Sequence, residues 1–142
     1  MNYSTTTYET EFSLNQRNTR DVVGDYKQSD SFKIKATGSI TYSMDGEDIK
    51  ITKFSGSWTP LASYVTISNR EVWGYQGTPF PSSSEMITRY PSSNSFNYDT
   101  GWGYVYCYPQ TSDTGPRLIT YADAHITGMS ETYTLQLTVK VE

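Results

Sequence analysis

Apolar and polar residues alternate with period two along most of this chain. Between residues 31 and 43, Phe32, Ile34, Ala36, Ile40 and Tyr42 share one parity, and Lys33, Lys35, Thr37, Ser39 and Thr41 fill the other. That spacing predicts a half-buried strand, because successive side chains of an extended backbone point to opposite faces. Asp45-Gly46 follows as a hairpin turn, and Ile49, Ile51 and Phe54 continue in a second strand. Gly56, just before Trp58, predicts a bulge or bend. Thr59-Pro60 breaks the run. Residues 61–73 resume with Tyr64, Thr66 and Ser68 opposite Val65, Ile67 and Val72. At the end of the chain, Leu118, Thr120, Ala122, Ala124 and Ile126 oppose Ile119, Tyr121, Asp123 and His125. A turn at 128–131 follows, and then Tyr133, Leu135, Leu137, Val139 and Val141 alternate with Thr134, Gln136, Thr138 and Lys140.

Other segments are less regular. Residues 1–30 form a polar N-terminal segment in which only Tyr8, Thr10, Phe12 and Leu14 alternate as a strand would, with a loop predicted over 15–21. Residues 74–101 hold Pro79, Pro81, Pro91 and a Ser82-Ser83-Ser84 run. They are expected to be a long irregular region with one short strand near Met86 to Tyr90. A connection of that length inside a compact domain usually carries function. Residues 101–109 then read Gly-Trp-Gly-Tyr-Val-Tyr-Cys-Tyr-Pro. As a strand they would line Trp102, Tyr104, Tyr106 and Tyr108 on one face and smaller residues on the other. With Val105 and Cys107 also apolar, that strand is expected to lie mid-sheet.

No stretch of ten residues shows a helical period. The expectation is a single all-β domain over 1–142: an antiparallel β-sandwich, immunoglobulin-like or similar, of six to eight strands. A β-barrel is the alternative.

Composition narrows the function classes. The 142 residues include 13 Tyr, 18 Ser and 20 Thr, and only 35% are apolar, so tyrosine has to supply part of the core. A net charge of −4 argues against nucleic acid, whose phosphates need a cationic surface. No apolar run reaches the roughly 20 residues a membrane-spanning helix needs. Cys107 is the only cysteine, so it is expected to be a buried small hydrophobe without a disulfide. Met1 leads into a polar stretch with neither a charged nor an apolar leader region. That leaves two readings, a cytoplasmic chain or a mature exported one, and the hydroxyl-rich, lysine-poor texture favours the second, an extracellular or cell-surface domain whose signal peptide has been removed.

The closing hairpin over 117–142 and this texture resemble the small exported β-sandwich domains of Gram-positive and gut bacteria. The resemblance implies a sandwich fold and an exported location, and it carries no functional residue.

Candidate chemistry is sparse. His125, the only histidine, shares a strand face with Asp123, a pair able to orient an imidazole. A hydrolase built on it is the least favoured reading against a plain solvated face. Asp45, Glu47 and Asp48 surround a turn but lack the full ligand set of a calcium loop. No metal site, cofactor or catalytic set is predicted. The aromatics remain. Trp58 and at least one further Trp are expected in the core. Trp73, Tyr75, Tyr90, Tyr98, Trp102 and Tyr104 lie where the irregular region meets the sheet, and they are the candidate ligand contacts. The expected function is non-catalytic binding or adhesion to a glycan or a protein. A structural, self-associating role through a strand edge is the alternative.

Overall fold

The computed structural model of the protein describes residues 4–13, 33–61, 64–76, 85–109 and 115–141. Leu14, the loop expected over 15–21, Pro79, Pro81 and the serines at 82–84 lie outside the described residues. Among the described residues there are nine strands and no helix: β1 (Ser4–Ser13), β2 (Lys33–Asp45), β3 (Asp48–Pro60), β4 (Val65–Tyr75), β5 (Met86–Arg89), β6 (Ser95–Asp99), β7 (Val105–Tyr106), β8 (Arg117–Ile126) and β9 (Thr132–Lys140). They form two antiparallel sheets. The first runs β1-β2-β3-β6, with β7 also paired to β3, and the second runs β5-β4-β8-β9. Neither sheet closes on itself, so the fold is a β-sandwich and not a barrel.

The core is what the alternation dictates. Ile34, Ala36, Ile40, Ile49, Ile51, Phe54 and Trp58 come from the first sheet, and Val65, Ile67, Val72, Leu118, Ala122, Ala124, Leu135, Leu137 and Val139 from the second. The β2–β3 hairpin turns on a two-residue loop with Gly46 first, at φ 63°. A type II′ turn needs glycine there.

Two bulges break the alternation. Between Ile51 and Phe54, β3 carries one residue more than β2, so core positions switch from odd to even numbers. In β4 the extra residue falls at Asn69 and Arg70, between the Ser68–Asp123 and Glu71–Tyr121 pairs. Asn69 sits there at φ 51°, a left-handed conformation that Asn tolerates.

Gly56, expected to mark a bulge, instead pairs regularly with Gly38. Its role is close approach: a Cβ there would run into the Thr37 carbonyl oxygen and the Phe96 ring. Gly74 does the same between the sheets, where a Cβ would stand 2.5 Å from the ring of Phe54.

The stretch 101–109 differs most from expectation. Only Val105 and Tyr106 pair, with Ile49 and Asp48, at the edge of the first sheet. Residues 101–104 leave the ladder, and a buried side chain replaces them. Gln76, fully buried, accepts from the Ile51 amide through Oε1 at 2.7 Å. Its Nε2 donates to the Gly103 carbonyl at 2.8 Å and to Glu85 Oε1 at 2.6 Å. The side chain that follows β4 of the second sheet thus fills a missing rung of the first, which satisfies backbone groups that would be costly to leave unpaired.

The described residues of 74–101 contain β5, the short strand expected near Met86, and the whole of β6, which pairs Ser95–Asp99 with 53–57 of β3.

Replacing Gly74 by Ala should destabilise the fold by about 1–3 kcal/mol, the usual cost of forcing a methyl into a packed core, read from the urea midpoint at constant slope. Thr120 points the other way. Its buried hydroxyl has no hydrogen-bond partner among the described residues, so Thr120→Val, close to isosteric, should raise stability by roughly 1 kcal/mol, visible as a higher Tm.

Candidate functional site

In an antiparallel sheet, directly opposed residues share a face, so the strand register maps the solvent side of the second sheet. One row holds Met86, Tyr75 and Arg117, and the next holds Thr88, Trp73 and Ile119. A third sets Glu71 beside Tyr121. Four large apolar or aromatic residues therefore adjoin on an open sheet face: Trp73, Tyr75, Ile119 and Tyr121. All are half-buried, and Met86 is 54% exposed at their edge.

Their direction comes from the Asn69–Arg70 bulge. Val65 and Ile67 point inward, and strict alternation would carry residues 73 and 75 inward with them. The extra residue reverses the phase, sending Val72, Gly74 and Gln76 into the core and Glu71, Trp73 and Tyr75 outward. The rings of Trp73 and Tyr75 stack at 5.3 Å and 12° between planes, and the indole Nε1 donates to Met86 Sδ at 2.8 Å. Both contacts hold the indole in one orientation.

Two hollows adjoin on this face. Glu71, Trp73, Ile119 and Tyr121 line one of about 260 Å³. Asn69, Arg70, Glu71, Tyr90, Pro91 and Ser92 line another of about 440 Å³. Glu71 lines both, so the two hollows, together the groove along β4, flank its side chain between the aromatic shelf and the bulge. Tyr90 stands at its far end, 72% exposed. The Arg70 guanidinium donates to Asn94 Oδ1 from Nε at 2.9 Å and from NH2 at 2.6 Å, and also to the Ile67 carbonyl. This ties the bulge to the turn that leads into β6. Thus the groove has a polar end, with a carboxylate, amide and hydroxyl, and an aromatic end.

The six candidate contacts fall in two places. Trp73, Tyr75 and Tyr90 line or flank the groove. Tyr98, Trp102 and Tyr104 lie along the β6–β7 edge of the first sheet and pack there. Trp102 meets Phe54 edge-on at 5.7 Å, and Tyr98 stacks on Phe96 at 5.6 Å beneath the Arg89 guanidinium. The Tyr104 hydroxyl shares a hydrogen bond of 3.0 Å with Ser43 Oγ, and Lys50 Nζ sits 4.9 Å from its ring centre. Tyr106 and Tyr108 contact each other. The single aromatic ladder expected over 101–109 is therefore divided, because only two of its residues are in a strand.

Ile119, Tyr121 and Glu71 complete the groove and were not among the expected contacts. The signal for the first two was present: they have the outward parity of β8. Only cross-strand register places them beside Trp73.

Asp123 and His125 share the outer face of β8 as expected, but each is engaged locally. Asp123 Oδ2 accepts from Asn69 Nδ2 at 2.8 Å, and Oδ1 accepts from the Thr134 hydroxyl at 3.0 Å. His125 Nε2 lies 2.6 Å from the Met129 carbonyl oxygen. The carboxylate thereby braces the bulge. Among the described residues no three His, Cys, Asp or Glu side chains converge as a metal site would require. Asp45, Glu47 and Asp48 are exposed at the hairpin tip.

Cys107 is half-buried, not fully buried. Its amide donates to the Glu47 carbonyl at 2.9 Å, and burial pushes its thiol above the ordinary value of 9.0.

Comparison with known protein families, curated proteins and solved structures returns no match.

The Cys107 shift has a definite sign. The folded state holds the thiol proton more tightly, so the unfolded chain loses it first as pH rises through about 9.0, and stability falls across that window. Cys107→Ser should show a flatter decline than the parent between pH 8 and 10 in chemical denaturation.

Proposed function

We propose that this protein is a non-catalytic binding module that takes a glycan chain along the groove on β4. The observation that carries this reading is the stacked Trp73–Tyr75 pair on the solvent-facing side of the second sheet, with Ile119 and Tyr121 beside it on β8. Sugar rings present an apolar C–H face that stacks on aromatic planes, while their hydroxyls seek directional partners. Glu71, midway along the groove, offers two acceptor oxygens, and Asn69 and Ser92 add further hydrogen-bonding groups at the far end. The aromatic end would hold one ring and the bulge end another. From Trp73 to Asn69 the strand spans about 13 Å, so the groove suits a short linear chain better than a single sugar.

Contiguous apolar surface on a water-exposed face is uncommon without a binding role. The locally engaged Asp123 and His125 favour binding over hydrolysis. The hydroxyl-rich composition supports an extracellular or cell-surface setting for such a module.

Titrating the protein with a panel of soluble neutral and acidic polysaccharides should change its tryptophan fluorescence for at least one. Trp73→Ala should weaken that binding by about tenfold or more, the usual scale for truncating an aromatic anchor. Trp102→Phe, on the other sheet, should leave it intact. No response across the panel, or undiminished binding by Trp73→Ala, would refute the reading.

A further inference from the structure

The edges of the sandwich are not alike. β5 is four residues long, and the β6–β7 edge is interrupted where residues 101–104 leave the ladder. Short length and interruption are usual protections of an exposed edge. β9 has neither. Its nine residues, Thr-Tyr-Thr-Leu-Gln-Leu-Thr-Val-Lys, contain no Pro or Gly, pair with β8 without a bulge, and carry one charge, at the last position.

The backbone phase of this edge can be fixed. The Val141 amide donates to the Pro116 carbonyl on the β8 side. Amide and carbonyl of one residue point the same way in an antiparallel ladder, and the direction alternates along the strand. Odd-numbered residues of β9 therefore bond to β8, and Thr132, Thr134, Gln136, Thr138 and Lys140 aim their amides and carbonyls outward. Among the described residues no strand other than β8 pairs with β9.

We propose that β9 pairs antiparallel with β9 of a second copy, about a two-fold axis at Gln136. A hydrogen-bonded ladder must oppose outward-facing residues, so only even-numbered positions can meet. The register centred on Gln136 uses all five, whereas shifting it by one step in either direction loses at least one.

That register is self-complementary. Leu135 faces Leu137 of the other copy and Tyr133 faces Val139, which continues the apolar side of the sheet. Thr134 faces Thr138 on the solvent side, and the two Gln136 amides meet on the axis. Lys140 falls opposite Thr132 and next to Glu131 of the other copy, so no like charges are opposed. The closed two-fold arrangement limits assembly to a dimer.

Joining the second sheets in this way gives one eight-stranded surface. If the groove on β4 binds glycan as proposed above, two grooves then lie on the same face. Their β4 strands are roughly 24 Å apart at the usual strand spacing, close enough for one polymer to engage both and gain avidity. The dimer does not depend on that reading, and its test is separate.

Sedimentation equilibrium of the full chain should show a reversible monomer–dimer equilibrium. Gln136→Lys sets two ammonium groups against each other on the axis at an exposed position, and should raise the dissociation constant about tenfold or more. Gln136→Thr should retain the dimer. Hydrogen exchange supplies a second readout. The Thr134, Gln136 and Thr138 amides should become protected as concentration rises, whereas Leu135 and Leu137 should be protected throughout. A parent chain that stays monomeric at the highest soluble concentration would overturn the proposal, as would a dimer that Gln136→Lys leaves unchanged.

Discussion

The fit of the Phe54 ring against the bare backbone of Gly74 governs the arrangement of the two sheets. It is the place where β3 and β4 come close enough that no Cβ can stand between them. The contact fixes how far β4 lies from the first sheet and which way it is turned. Two residues further on, Gln76 is thereby brought within reach of the Ile51 amide and the Gly103 carbonyl. The glycine sets the distance and the glutamine locks the alignment. Because both point inward, the residues between and before them, Tyr75 and Trp73, must point outward. The aromatic shelf on the outside is thus the reverse side of a packing requirement on the inside.

Much of this was legible in the chain. Strict alternation marked β2, β8 and β9, and the inward parity of each is the parity of its apolar residues. Strand ends at Gly46 and Gly128 follow from turns that need positive φ. What alternation could not show is where it is interrupted. The bulges at 52–53 and 69–70 carry no glycine or proline. Each appears in the sequence only as a change in the numbering of apolar positions, from Ile51 to Phe54 and from Ile67 to Val72. The aromatic run over 101–109 misled in the opposite sense. It has the period of a strand but not the partners, because a buried side chain from the other sheet satisfies the backbone that its first residues would have met.

The site was legible in part for the same reason. Trp73, Tyr75 and Tyr90 could be read as exposed aromatics near a loop-rich region. Tyr98, Trp102 and Tyr104 had the same local character, yet Phe54, Phe96 and Ser43 draw them into packing on the first sheet. Ile119, Tyr121 and Glu71 joined the site through pairing across strands, which no local pattern reveals. The two broad faces also differ in chemistry. On the outer side of the first sheet small hydroxyls meet across strands, Thr7 with Ser39 and Thr37 with Ser57 at 2.9 Å each, among the lysines at 33, 35 and 53. The outer side of the second sheet carries the Trp73–Tyr75 pair.

The extra residue in β4 makes the strand sensitive to length in a way that substitutions would not disclose. Removing one residue at 69 or 70 would leave a single residue opposite Ala122, so Ser68 and Glu71 would keep their partners Asp123 and Tyr121 in a regular ladder. Val72 and Gly74 would still face the core, and Trp73 and Tyr75 the solvent. Removing both would instead set Glu71 opposite Ala122, and the pairing could then persist only with Trp73 and Tyr75 turned inward and Val72 and Gly74 outward. Changes in length at this bulge are therefore read by their parity, one residue lost only straightening the strand and two exchanging inside for outside.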